Sequence, residues 1–131
     1  MVSDIDVFAY EYAATTMASN IAKVFGVSLE TVLWDIKTAI KEIDPVLDHN
    51  NECIEEWFDL YGSSSTPMEN DCYLSKNGAM YIFMKYTGEH AAEAKVKYVK
   101  AFDAVNEDLS QKFTEDAISD AIREHDLATN N

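Results

Sequence analysis

A chain of 131 residues, 47% of them apolar, is the size of one ordinary domain and can bury a real core. Ten basic against twenty-four acidic residues leave a formal charge of −14, a balance that repels polyanions and favours basic protein surfaces. No run of about eighteen apolar residues could span a membrane, the acidic opening "MVSDIDVFAYEYAA" argues against a secretory signal, and Cys53 and Cys72 form no CxxC and read as reduced cytosolic thiols.

In chain order, Ile5 to Tyr12 alternates partly and predicts a short strand. Thr15 or Thr16 can cap a helix over about 16–25, with Met17, Ile21, Val24 and Phe25 as its apolar stripe. Gly26 follows, where a helix end needs positive φ. Ser28 is a good cap for the next helix, whose Leu29, Val32, Leu33, Ile36, Ile40 and Ile43 recur at spacings of three and four. Asp44-Pro45 is expected to end it, because the residue before proline avoids the α region. Ile54, Trp57, Phe58, Leu60 and Tyr61 predict a strand near 54–61, with Cys72 to Leu74 as its partner. "GSSSTPMEN" between them reads as a loop, too short to separate two domains.

"SKNG" punctuates the chain before "AMYIFMKY", whose continuous apolar run fits a strand or a buried helix on periodicity alone. "GEHAAEAKVKYVKAFDAVNEDL" predicts a helix with Ala91, Ala94, Lys95, Tyr98, Phe102, Val105 and Leu109 on one face. A last helix over about 114–127 would start at Thr114 as cap, with Ala117, Ile118, Ala121 and Ile122 as a narrow stripe.

Signs of chemistry are scarce. His49, His90 and His125 are scattered outside any ligand spacing and read as solvent-facing. "DHNNECIEEWFD" puts Cys53 and Asp59 where a calcium loop needs Gly and Glu. GxSxG, P-loop and GxGxxG patterns are missing, so the expectation is no enzyme, no metal and no cofactor. Phe83, Tyr86, Tyr98 and Phe102 read as core. Trp34 projects near the flank of its helix, either as a boundary residue against a loop or as an exposed anchor for a partner, a role in which Trp is enriched.

Two stretches resemble the phage regulatory protein Rha family, related in style to phage antirepressor N-terminal domains. "TTMASNIAKVFGVSLETVLWDIKTAI" looks like its opening, with a capped short helix, a Gly corner and a Val-Leu-x-x-Ile helix. "CYLSKNGAMYIFMKYTGEHAAEAKVKYVKAFDAVNEDL" looks like its second half, ending in the Tyr-Val-x-Ala-Phe helix. The pattern covers roughly residues 15–109. The resemblance implies a mainly helical α+β fold, a winged helix-turn-helix-like single domain over 1–131, and a helical extension over 110–131. It places a short β-hairpin wing at 54–75, makes "AMYIFMKY" helical, and implies a phage or prophage origin and the cytoplasm of a bacterial host.

The departures from that family bear on function. It usually places His and a basic residue at the start of the second helix, where this chain has Leu29, Glu30 and Thr31. Trp34 and Asp35 stand where a basic residue is usual, and side chains that read base edges bidentately are lacking. The leading expectation is therefore a protein-binding antagonist of anti-CRISPR, anti-restriction or antirepressor type. Its target would be a basic nucleic-acid-binding protein, engaged through Glu30, Trp34, Asp35, Glu52, Glu55, Glu56 and Asp59, with DNA binding weak or absent. The alternative is a Rha-type transcriptional regulator that holds DNA through Lys76, Lys85, Lys95, Lys97 and Lys100, from the one net-basic segment, 73–102. Monomer and homodimer stay open.

Overall fold

The computed structural model describes the backbone of residues 5–60 and 71–129, and the side chains of 5–59 and 71–112. It is an α+β fold, mainly helical. Strands β1 (Phe8–Tyr10) and β2 (Ala13–Met17) form a hairpin, followed by helices α1 (Ala18–Phe25) and α2 (Leu29–His49). A 3-10 turn (Ile54–Glu56), β3 (Phe58–Leu60) and β4 (Cys72–Ser75) come next, then α3 (Lys76–Phe83) and the long α4 (Glu89–Thr129). The four strands pair antiparallel in the order β1-β2-β4-β3.

Strand alternation separates the two faces of this sheet. Ala14, Thr16, Phe58, Cys72 and Leu74 point into the core, where they meet Ile21, Leu33, Ile36, Ile82, Tyr98 and Phe102. Phe8, Tyr10, Asp59 and Tyr73 take the opposite parity and face outward. Under the helices Phe25 stacks between Tyr86 (4.9 Å) and Tyr98 (6.1 Å), and Phe83 lies 4.9 Å from Tyr98. The four predicted core aromatics are therefore core or lie against it, and "AMYIFMKY" is helical over its first five residues.

The corner between α1 and α2 is as the sequence predicts. Gly26 ends α1 at φ +72°, and the Ser28 side chain accepts from the Thr31 N–H at the start of α2. Other boundaries differ. Thr15 and Thr16 do not cap α1; they belong to β2, and the cap position is Met17, with no side-chain bond. Thr16 is instead a buried donor, its hydroxyl giving to the Asp6 carbonyl at 2.7 Å, which anchors the segment ahead of β1. Pro45 does not end α2. It sits on the exposed side, where water can serve the carbonyl its ring leaves unbonded, and one more turn buries Leu47.

Of the predicted strand 54–61, Ile54–Glu56 is a 3-10 turn and Phe58–Leu60 a strand, and Tyr61 lies outside the described residues. "SKNG" is not punctuation: Ser75 caps α3 by accepting from the Gly78 N–H at 3.3 Å. Thr114 starts no new helix, because α4 runs unbroken from Glu89 to Thr129. The hairpin expected as a wing does pair β3 with β4, but β4 also pairs with β2 and lies inside the sheet. "GSSSTPMEN" lies outside the described residues.

Candidate functional site

The outward face of α2 carries the first candidate surface. Its core stripe buries Val32, Leu33, Ile36, Ala39 and Ile43, which turns residues 34, 37, 38 and 41 away from the core. Trp34 is 63% exposed, and with Lys37, Thr38, Ile40 and Lys41 it lines a shallow cavity of about 280 Å³. It stands as an exposed aromatic beside two lysines. Glu30 is exposed in the first turn, where the helix dipole favours an acid.

Asp35, expected to share that exposed flank, is only half-exposed and accepts from the Tyr86 hydroxyl at 3.2 Å. Glu42 is held likewise by the Tyr81 hydroxyl at 3.0 Å. Burial first, then the Asp35 charge and hydrogen bond, push the Tyr86 phenol well above its usual range. For Tyr81 the hydrogen bond to Glu42 leads and burial adds to it. Both acids are thereby drawn toward α3 and the segment after it.

The remaining predicted partner-binding acids fall elsewhere. Glu52 is exposed past the end of α2, its N–H donating to the Leu47 carbonyl at 2.8 Å. Glu55, Glu56 and Asp59 line a different cavity, on the sheet, and do not join Trp34. The structure thus divides the predicted set between α2 and the sheet, with Glu52 at neither cavity.

The lysines of the basic segment are mostly engaged. Lys76 bridges Asp103 at 2.8 Å, Lys97 bridges Glu93 at 3.2 Å, Lys85 approaches Glu42 at 4.0 Å, and Lys95 donates to the Tyr86 carbonyl. Lys100 is exposed on α4. Exposed pairs of this kind are worth at most about 1 kcal/mol each, but they cancel charge locally.

Among the described residues no three His, Cys, Asp or Glu side chains are placed to hold a metal ion, and no helix is long and apolar enough to cross a membrane. His49 is exposed as expected. His90 is exposed too, yet a ring nitrogen lies 3.1 Å from the Val24 carbonyl near the end of α1. The His125 side chain lies outside the described residues. Cys53 is exposed and Cys72 buried, both free; burial, then Asp71 and Asp59, push the Cys72 thiol up.

Comparison with known proteins accounts for most of this framework. The family described as phage regulatory protein Rha matches residues 16–107, from β2 into α4. The chain belongs to the phage regulatory protein Rha family. An uncharacterized protein of Haemophilus influenzae is 32% identical over 101 residues, which is 74% of this chain and 54% of that relative. The chain thus spans about half the length of the curated relative it matches. No solved structure matches it.

Proposed function

We propose that this phage regulatory protein acts by binding a protein, and that its target is a basic nucleic-acid-binding protein of the host or of the phage, which it antagonises. The carrying observation is the make-up of the outward α2 face, where a regulator of helix-turn-helix type would meet DNA. That face offers Lys37 and Lys41, and no Arg, Asn or Gln. Two phosphate contacts correspond to a salt slope of only about −2, whereas proteins making six to ten contacts draw most of their affinity from that term. A net charge of −14 works against even this. The exposed Trp34 suits a protein interface, where such a side chain often dominates the binding energy.

A second reading is a DNA-binding regulator with a winged helix-turn-helix-like fold. The Tyr86 bond to Asp35 favours it, since the acid beside Trp34 is held toward the segment after α3 while Lys37 and Lys41 line the cavity at Trp34. One pair of measurements separates the readings: capture of bacterial nucleic-acid-binding proteins on the immobilised chain, and mobility shift on the promoter of the phage or prophage that encodes it. We expect a salt-sensitive protein complex and no operator complex tighter than about millimolar at physiological salt. A submicromolar, salt-dependent operator complex reverses the order.

A further inference from the structure

Glu55, Glu56 and Asp59 belong to something more structured than an acidic patch. On the outward sheet face Tyr10 of β1 and Tyr73 of β4 stack at 4.2 Å with planes 11° apart, and Phe8 meets Tyr73 edge-on at 6.3 Å. The two tyrosines meet across β2, whose Ala13 and Thr15 are too small to keep them apart. Large side chains on the flanking strands and small ones between them make a trough. Its volume is about 430 Å³, within the range of clefts that enclose a ligand group. Glu11, Glu55, Glu56 and Asp59 line it, and among the described residues no basic side chain does.

We propose that this trough docks an arginine-bearing segment of a protein partner. Charge complementarity selects the occupant: four carboxylates around an aromatic wall repel nucleic acid and acidic peptides and attract a cation. Arginine fits better than lysine because guanidinium is planar, weakly hydrated, stacks on aromatic rings and pairs bidentately with carboxylates. The proposal rests on the reading that the chain acts on a basic protein. It places the contact on the sheet, away from α2.

The test titrates the full chain with a short peptide of alternating Arg and Gly and with its Lys counterpart, by calorimetry at two salt concentrations. The arginine peptide should bind several times tighter than the lysine peptide. The double reversal Glu55→Lys with Glu56→Lys should weaken it by about tenfold and flatten its salt dependence. Tyr10→Ala should weaken it comparably, and Tyr10→Phe should retain binding. The control Glu89→Lys with Asp108→Lys changes net charge equally at two other exposed sites and should leave affinity within about twofold. Equal losses in trough and control variants overturn the proposal, since bulk charge then explains binding. Peptide binding that resists every trough variant also overturns it, while leaving the protein-binding reading intact. No peptide binding beside a retarded operator duplex removes both.

Discussion

The Tyr86 hydroxyl donates to the Asp35 carboxylate at 3.2 Å and ties the acid next to Trp34 to the segment after α3. Two turns further along α2, the Tyr81 hydroxyl does the same for Glu42. Two acids of α2 are thus tied to tyrosines, Asp35 half-exposed and Glu42 exposed. Trp34 lines a cavity with Lys37, Thr38, Ile40 and Lys41, and Glu30 is exposed one turn before it. The larger acidic feature lies on the sheet.

The Tyr86 bond makes stability depend on alkaline pH. Burial and Asp35 raise the phenol pKa in the folded state above the usual value of about 10, and burial raises Tyr98 similarly. A group whose folded pKa is raised contributes stability that is fully present below its unfolded pKa and is lost as pH rises through the folded value. The melting temperature should therefore fall above about pH 10. Tyr86→Phe should lower stability by about 1 kcal/mol at neutral pH and make the alkaline decline shallower. Parallel pH profiles for wild type and variant would show that Tyr86 does not carry this linkage.

Two glycines should respond differently to alanine. At Gly78 a Cβ would stand 2.1 Å from the Trp57 carbonyl oxygen and 3.1 Å from the Phe58 ring, so α3 or the strand entry must move. Gly78→Ala should destabilise by about 1–3 kcal/mol, the range for overpacking. At Gly26 nothing lies within 4 Å, and only the φ of +72° resists a side chain. Gly26→Ala should therefore cost about 1 kcal/mol, and Gly26→Asn less, because Asn tolerates that conformation. Denaturant melts decide this; a neutral Gly78→Ala would mean that the helix does not approach Trp57 so closely.

The contrast between these glycines illustrates what the sequence makes legible. Gly26 was readable because it directly follows an apolar-periodic stretch and precedes Ser28, a local pattern with local causes. The role of Gly78 depends on the Trp57 backbone, far away in sequence, and no local pattern carries that. Thr16 misled for the same reason: it is a fitting cap by type, but Asp6 and the β2–β4 pairing claim it. The acids Glu55, Glu56 and Asp59 were legible as a candidate site. Their aromatic partners Tyr10 and Tyr73 were not, because stacking over β2 requires the strand order β1-β2-β4.

The turn that supplies Glu11 to the trough is strained. Glu11 and Tyr12 join β1 to β2 as a two-residue loop with φ of 48° and 69°. Hairpin turns with both φ positive favour Asn-Gly, which is why Glu-Tyr gave no turn signal. Replacing the pair by Asn-Gly should stabilise the chain by about 1 kcal/mol or more, since each left-handed non-glycine residue costs roughly 1–2 kcal/mol. The same change removes a trough carboxylate and should weaken the arginine peptide. A lower melting temperature would mean that Glu11 or Tyr12 makes contacts that outweigh the strain.

Trp34 separates surface from core most directly. At 63% exposure it contributes little buried area, so Trp34→Ala should change stability by no more than about 0.5 kcal/mol, the range for surface substitutions. If α2 forms part of the partner contact, the same variant should release the captured protein faster with little change in association, because a desolvated aromatic anchor acts on dissociation. Reversing Glu55 and Glu56 should instead slow association and flatten its salt dependence, since exposed charges steer encounter. Lys37→Glu with Lys41→Glu completes the comparison. Loss of duplex retention in that variant, with partner kinetics unchanged, identifies α2 as a DNA-facing helix. A fall of many degrees in melting temperature for Trp34→Ala, with unchanged kinetics, returns Trp34 to a purely structural role at the edge of the core.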